Sequence, residues 1–133
     1  MSAHEIVTAP GLAEPVGFAH AVVAAPGRAV YLGGQTAQGA DGAIVGETMA
    51  AQFDQAAANV VTALSAAGGV PEHLVSLIIY TTAVAEYRAA LKELGPLWRK
   101  HFGRHYPAVA LLGVAELFDE VAKIELVGTA VIP

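Results

Sequence analysis

The feature that most constrains the fold is a helical pattern that ends at two glycines. A run of β-branched residues follows it closely. Apolar residues recur at spacings of three and four from Met49 to Leu64, which places them on one face of a helix. Thr48 is a suitable N-cap for this helix, and Gly68-Gly69 predicts its end. The run from Leu74 to Thr82 predicts a buried strand. The chain must therefore pack at least one helix against a sheet.

The remaining patterns place strands before and after this unit. The predicted segments are strands at 5–8, 17–24 and 29–33, a second helix from Glu86 to Phe102, and final strands at 108–115 and 123–131. Pro26-Gly27 predicts a hairpin between the second and third strands, and Pro96 predicts a kink in the second helix. We expect residues 1–133 to form a single α+β domain, with two helices on one face of a mixed sheet.

The composition indicates that the other face of this sheet is covered by another subunit. Of the 133 residues, 55% are hydrophobic and only 14% are charged, whereas an average soluble domain has about 25% charged residues. A monomer of this composition leaves much apolar surface in water, and large apolar patches usually mark interaction sites. The alternative is a tightly folded monomer rich in alanine and glycine. Self-association is the stronger prediction.

Charge and residue counts limit the possible partners and cofactors. The net charge is −5, and the one basic cluster is Arg99, Lys100 and Arg104, so a nucleic-acid partner is not expected. The absence of cysteine excludes a disulfide framework, a thiolate metal site and a cysteine nucleophile. The five histidines have no spacing that indicates a metal site. We expect neither a metal nor another cofactor.

The chain also lacks the segments that would direct it to a membrane. Residues 1–10 have no apolar core of the signal-peptide type. The longest uncharged run, Gln55 to Pro71, is shorter than the roughly 20 apolar residues of a membrane helix. The expected location is the cytoplasm, with no membrane partner.

Six segments, in order, resemble motifs of the reactive intermediate deaminase (Rid, or YjgF) family. The match as a whole covers about Gly17 to Val131, and the combined order and spacing of the six segments carry the resemblance. The matching segments are Tyr31-Leu32-Gly33-Gly34-Gln35, the loop with Gly42, Ile44, Val45 and Gly46, the helix positions Gln52, Asn59 and Leu64, the strand Val75 to Thr82, the segment His105-Tyr106-Pro107-Ala108, and Lys123-Ile124-Glu125.

The resemblance implies a chorismate-mutase-like α+β fold and a homotrimer around a central barrel. It also implies three small-molecule clefts, one between each pair of subunits. Deaminating members of the family hydrolyse reactive enamines and imines, such as 2-aminoacrylate, to a keto acid and ammonia. The site needs an anchor for the substrate carboxylate and a group that holds a water molecule.

At the anchor, this chain departs from the deaminating members. Their arginine, which binds the substrate carboxylate through a planar fork, is replaced by Val109. The next position, often a hydroxyl or thiol residue, is Ala110, and an early tyrosine–serine pair is replaced by Phe18 and Ala19. The resemblance therefore places the chain in an arginine-lacking branch, with these four residues lining the cleft. Hydrolysis of 2-aminoacrylate is not expected.

Glu125 and His20 are the candidate catalytic residues. Glu125 matches the glutamate that holds the water in deaminating members, and alternation along its strand points it away from Ile124 and Leu126. His20 is a possible acid or base in the same cleft. Either residue has an alternative structural role, in which it binds the backbone or a neighbouring side chain.

Three more residues are predicted at the ligand, with weaker support. Gly34 and Gln35 lie in the family turn, where Gln35 is expected mainly to support the backbone. His105 precedes Pro107 by two positions and is expected to point towards the neighbouring subunit. A purely structural role competes with the ligand role for each of the three.

Three functions compete for this chain. The first is a deaminase-like hydrolase for a neutral or unusual imine or enamine, since the cleft has lost its cation. The second is a non-catalytic module that binds a small ligand. The third, endoribonuclease or translation inhibitor, follows an older family label and is disfavoured by the acidic charge.

A trimer is the first testable consequence. Light scattering at micromolar concentration should give a mass near three times the 13.6 kDa of one chain, because the uncovered sheet face needs a partner surface. A chain that stays monomeric on concentration would contradict both the packing argument and the assembly that the resemblance implies.

Overall fold

The computed structural model describes residues 3–133 and places a mixed sheet beneath three helices. The elements are β1 Glu5–Val7, β2 Ala21–Val23, β3 Arg28–Tyr31, α1 Met49–Ala66, β4 Leu74–Thr81, α2 Val84–Ala89, α3 Leu91–Phe102, β5 Ala108–Gly113 and β6 Ile124–Ile132. One turn of 3-10 helix, Pro71–His73, leads into β4. The α+β class and the mixed sheet are confirmed.

The four-stranded main sheet has the order β3-β6-β4-β5, and β1 and β2 form a separate antiparallel ribbon. Strand β4 runs parallel to β5 and antiparallel to β6. The predicted hairpin between the second and third strands is wrong, because β2 pairs with β1 and β3 pairs with β6. The backbone at Gly27 lies so close to the carbonyl of Ile132 that a side chain there would overlap it. This close approach accompanies the pairing of Arg28 with Ile132 at the start of β3.

Helix α1 begins and ends where the sequence predicts. The Thr48 hydroxyl accepts a hydrogen bond from the backbone N–H of Ala51 at 3.1 Å, which satisfies one of the free amide groups of the first turn. At the other end Gly68 has a φ of +90°, a conformation that strongly favours glycine. These two terminal features are local, so the sequence pattern alone identifies them.

The second helical segment is divided where the sequence predicts one helix. The break lies at Ala90, whose N–H donates to Glu86 and Tyr87 and closes the short helix α2. Pro96 lies within α3 and does not end it, although it lacks the N–H that would complete one helical hydrogen bond. The pair α2–α3 lies on the same side of the sheet as α1.

Strands β4 and β6 give the sheet two different faces. Ile79, Ile124 and Leu126 are buried against the helices, while Tyr80 and Glu125, which are partners across the two strands, lie half-buried on the opposite face. We call this second face the open face, because within residues 3–133 no helix packs on it. The predicted alternation about Glu125 is therefore confirmed.

Gln52 connects α1 to the segment that leads into β6. Its side chain is 1% exposed. Its amide group donates to the carbonyls of Gly46 and Val121 at 3.2 and 3.0 Å, and its carbonyl accepts from the N–H of Lys123 at 2.7 Å. Lys123 directly precedes β6, so these three bonds help to set the position of Glu125 two residues later.

Replacing Gln52 with alanine should destabilise the protein strongly. The change removes three hydrogen bonds to backbone groups in a partly buried setting, and each such bond contributes about 0.5–1.5 kcal/mol. We expect a loss of about 2–4 kcal/mol in the free energy of unfolding, measured by urea denaturation at one protein concentration. Gln55→Ala is the matched control, because its amide group bonds only to Asn59, at 2.9 Å, and should cost about 1 kcal/mol. Equal losses in the two variants would show that the Gln52 bonds have no special weight.

Candidate functional site

A pocket of about 480 Å³ opens between β5 and the helix pair α2–α3. Its volume lies within the range of about 300–1,000 Å³ that is usual for small-molecule sites. We call it the helix-side pocket. It is lined by Val16, Gly17, Phe53, Ile79, Tyr87, Leu91, Leu94, Gly95, Trp98, Tyr106 and Leu111. None of these side chains carries a charge.

Trp98 holds the aromatic wall of this pocket in place. Its indole N–H donates to the carbonyl of His105 at 3.0 Å, which fixes the plane of the ring. Tyr106 stacks on it with ring centres 5.6 Å apart and planes 5° apart, and Phe53 stacks at 6.4 Å. The wall is therefore preformed by core packing and does not depend on a ligand.

Tyr87 and Tyr106 are the two residues of the pocket lining that carry a hydroxyl group. Neither Tyr87 nor Tyr106 hydrogen-bonds through its hydroxyl to another residue of 3–133. Burial raises the pKa of Tyr87 above its usual value, so its hydroxyl stays protonated at neutral pH. The pocket thus offers apolar walls and phenol groups that can donate a hydrogen bond to a neutral ligand.

A second pocket of about 350 Å³ lies beside the open face, and it brings five of the predicted site residues together. We call it the sheet-side pocket. The N–H of Ala19 donates to the carbonyl of Pro107 at 2.9 Å, which holds the segment before β2 against the start of β5. The pocket is lined by Leu12, Phe18, Ala19, His20, Ser76, Ile78, Ala108, Val109 and Ala110.

His20 is engaged with the backbone at both ring nitrogens. Its Nδ1 accepts from the N–H of Ala9 at 2.9 Å, and its Nε2 lies 2.9 Å from the carbonyl of Ala13. A neutral imidazole with the proton on Nε2 satisfies both bonds. A proton taken from a ligand would break one of them, so this geometry favours the structural alternative for His20.

The carboxylate of Glu125 lies against the backbone of Gly34. A Cβ atom at position 34 would overlap this carboxylate, so any other residue there would require the Glu125 side chain to move. Next to it, the backbone of Gln35 exchanges hydrogen bonds of 2.8 and 2.9 Å with Leu126, and its side chain donates to Gly33. The Gly34 backbone and the Glu125 carboxylate are therefore in contact, and the backbone bonds of Gln35 connect the turn to β6.

The imidazole of His105 is engaged with the backbone of the core. It is 6% exposed, and its Nε2 lies 2.8 Å from the carbonyl of Leu74. It lines neither pocket. Its role in this chain is to connect the end of α3 to the start of β4 and to receive the indole N–H of Trp98 at its carbonyl.

Glu125 and the helix-side pocket lie on opposite faces of the sheet. Ile79 and Leu111 are partners in β4 and β5 and point towards the helices, where they line the pocket. Tyr80 and Glu125 point the other way. A single chain therefore does not bring its own Glu125 carboxylate into its own helix-side pocket. Nor does Glu125 line the sheet-side pocket.

Sequence reasoning missed the pocket residues Tyr87, Tyr106 and Leu111 as site residues. Tyr87 shares a helical face with Leu91 and Trp98, and such a stripe is the usual pattern of a core. Only the division at Ala90 and the edge position of β5 leave a space beside them. No local signal in the sequence distinguishes a helix face that is fully packed from one that lines a pocket.

Residues 3–133 contain neither a cluster of metal-binding side chains nor a membrane-spanning helix. Residues 3–133 contain no group of three or more histidine, aspartate or glutamate side chains placed to bind a metal ion. Across those residues, no helix combines the length and the apolar character needed to cross a membrane.

Comparison with known proteins identifies a family and several solved relatives. The model of the endoribonuclease L-PSP family matches residues 11–132. The structure of YyfB from Yersinia pestis, a Rid-family protein of unknown function, has 28% sequence identity and a TM-score of 0.86, and the alignment covers 97% of this chain and 98% of that one. The comparison with curated proteins gave no match.

Two further structures extend this likeness. A member of the YjgF/YER057c/UK114 family from Mycobacterium tuberculosis is 26% identical, with a TM-score of 0.66 and 88% of each chain covered. The YjgF protein of E. coli is 22% identical, with a TM-score of 0.70, and the alignment covers 94% of this chain and 91% of that one. At 22% identity, the likeness to the E. coli protein concerns the fold alone.

Proposed function

We propose that this chain, which belongs to the endoribonuclease L-PSP family together with the Rid and YjgF proteins, is a deaminase-like hydrolase. Its substrates would be neutral imines or enamines. Its substrate would lack the carboxylate of 2-aminoacrylate. The reaction would take place in a cleft between the subunits of a homotrimer. The observation that carries this proposal is the helix-side pocket, whose lining has aromatic rings, aliphatic side chains and no charge.

The uncharged lining argues against a charged substrate in this pocket. An ion moved from water to an apolar site without a partner loses several kcal/mol of solvation. Val109, at the position of the family arginine, packs against the hydrophobic core and supplies no cation, and no cation is among the residues that line the helix-side pocket. A neutral imine or enamine has no such cost, and its nitrogen can accept a hydrogen bond from the hydroxyl of Tyr87 or Tyr106.

The catalytic carboxylate would come from the neighbouring subunit. Glu125 and the pocket lie on opposite faces of one chain, so a second copy is needed to bring the two together. The open face, which carries Glu125, is half-buried and mostly uncharged, and it needs a cover in water. One assembly contact can therefore cover the open face and complete the site.

The proposed chemistry is the addition of water to a carbon–nitrogen double bond. The carboxylate of Glu125 takes a proton from water as the water oxygen bonds to the electrophilic carbon, and the imine nitrogen takes a proton from solvent, which gives a neutral carbinolamine. The proton on Glu125 then passes to the amino group, the carbon–nitrogen bond breaks as the hydroxyl group loses its proton to solvent, and a carbonyl compound and ammonia are released. A general base typically contributes about 10²–10⁴-fold to such a step, and the apolar walls would keep the carboxylate from bulk water.

A non-catalytic binding module is the alternative that the same pocket allows. The backbone bonds of His20 remove one of the two candidate catalytic groups, and an apolar pocket can hold a ligand without transforming it. Binding of a neutral ligand without turnover would support this alternative.

Nuclease activity, which the family description names, has less support in this chain. The net charge is −5, and phosphate backbones are bound by clustered positive charge. In the basic cluster at the end of α3, Lys100 is already paired with Asp54 at 3.0 Å. The Asp54 carboxylate, whose pKa is lowered by hydrogen bonds from His101 and Lys100, therefore offsets one of the three cations of this cluster.

Glu125→Gln tests the proposed catalytic group. With the N–H imine of acetophenone as a neutral substrate, ammonia release should fall at least about 100-fold, while the mass by light scattering stays unchanged. Gly34→Ala should also lower turnover, because the new methyl group displaces the Glu125 carboxylate. Glu14→Gln, at an exposed position, is the control and should have no effect. Full activity in the Glu125→Gln protein would assign Glu125 a structural role.

The parent protein should barely hydrolyse 2-aminoacrylate. The missing arginine–carboxylate pair removes two charged hydrogen bonds of about 1.5–3 kcal/mol each, which corresponds to a loss of roughly 100-fold or more. The measurement is ammonia release from 2-aminoacrylate formed in the assay, beside an arginine-bearing family member. Equal rates for the two proteins would mean that another group binds the carboxylate and that the neutral-substrate proposal is wrong.

A further inference from the structure

The loop between β5 and β6 presents a phenylalanine to solvent. Phe118 is fully exposed, more than any other large hydrophobic residue of the described chain. The carboxylates of Glu116, Asp119 and Glu120 surround it in sequence, and none of them forms an ion pair with another residue of 3–133. Asp119 accepts the N–H of Val121 at 3.1 Å, which helps to hold the loop. We call residues 116–120 the acidic knob.

Three cations lie on the helix pair α2–α3, which borders the helix-side pocket. Arg88, Lys92 and Arg99 each follow a lining residue directly in sequence, and each is exposed and without an ion-pair partner in residues 3–133. One carboxylate, Glu93, lies among them in sequence. The guanidinium of Arg99 lies 3.8 Å from the space that a side chain at Gly95 would fill, so this cation lies beside the pocket. We call these three cations the basic rim.

We propose that the acidic knob of one subunit docks on the helix-side pocket of the next, with the Phe118 ring in the pocket mouth and the carboxylates facing the basic rim. The site in each subunit is then incomplete without the partner copy. This inference rests on the proposed function, since it names the partner residue that closes the same cleft. It is a heterologous contact between two different surfaces, which closes into a ring when the rotation between subunits permits.

Three features of the chain favour a second copy as the occupant. Phe118 is fully exposed, so it does not contact the pocket of its own chain. The pocket mouth also needs cover, because Leu91 and Val16 are 55% and 86% exposed there. Finally, the knob is acidic and the rim basic, and opposite charges guide association and set its register.

The knob also lies at the end of the sheet that carries the proposed catalytic group. Residues 116–120 precede β6, and Glu125 is the second residue of that strand. A partner that places its Glu125 at the cleft therefore brings its Phe118 close to the same cleft. The ring would limit the length of the ligand and exclude water from the reacting carbon.

Cross-linking between different chains tests the docking directly. The chain has no cysteine, so each variant contains only the cysteine that was introduced. Phe118→Cys and Leu91→Cys chains are refolded together and oxidised. A disulfide forms only when the two Cα atoms lie within about 7 Å, and we expect a cross-linked dimer on a denaturing gel. As the control, Phe118→Cys is refolded with Val70→Cys, and no cross-linked dimer should form. Val70 is exposed and lies just before β4, near the end of the strand that begins at Leu74.

Three outcomes would overturn the proposal. One is a trimer that shows no cross-link between the Phe118→Cys and Leu91→Cys chains. Another is efficient cross-linking of Phe118→Cys to itself, which would place the knobs against each other. A third is a monomer, because the pocket would then have no partner copy. Imine turnover that depends on Glu125 but persists without the cross-link would retain the proposed function and reject only the docking.

Trp98, the one tryptophan of the chain, gives a second readout from inside the pocket. Phe118→Ala should shift its emission to longer wavelength and raise quenching by acrylamide, because water reaches the pocket when the ring is removed. Val121→Ala is the matched control on the same connection, with a side chain 65% exposed, and should leave both signals unchanged. An identical Trp98 spectrum in the parent and Phe118→Ala proteins would also reject the docking.

Discussion

The alternation of side chains along β4 and β6 is the constraint on which the rest of the structure depends. One set, with Ile79, Ile124 and Leu126, fills the space below the helices. The other set, with Tyr80 and Glu125, lies on a face that no helix covers within residues 3–133. Because the period of a strand is two, the chain cannot bury one set without presenting the other. The proposed assembly and the proposed catalytic carboxylate both follow from this second face.

The uncharged character of the helix-side pocket has a structural origin. Trp98 is held by the carbonyl of His105, and Tyr106 stacks on its ring. His105 is in turn bonded to the start of β4. The residues that form the pocket wall are therefore also core residues, and a charged group introduced there would be costly to bury. The same packing that stabilises α3 on the sheet thus favours the neutral substrate that we propose.

Several parts of the fold were predictable because their causes are local. The Thr48 cap, the end of α1 at Gly68 and the alternation about Glu125 each depend on a few neighbouring residues. The false hairpin had a distant cause, since β3 pairs with β6, a strand at the far end of the chain. The division of the second helix at Ala90 also had no signal in the sequence, because alanine favours helix in general.

The sequence by itself determined the α+β class, the family resemblance and the loss of the arginine at Val109, because these depend on residue identity and order. Tertiary structure alone decided that His20 binds the backbone at both nitrogens. It also decided that Glu125 and the helix-side pocket occupy opposite faces. A side chain's available protons and its neighbours across a sheet depend on contacts between distant segments. Those contacts have no periodicity along the chain from which they could be deduced.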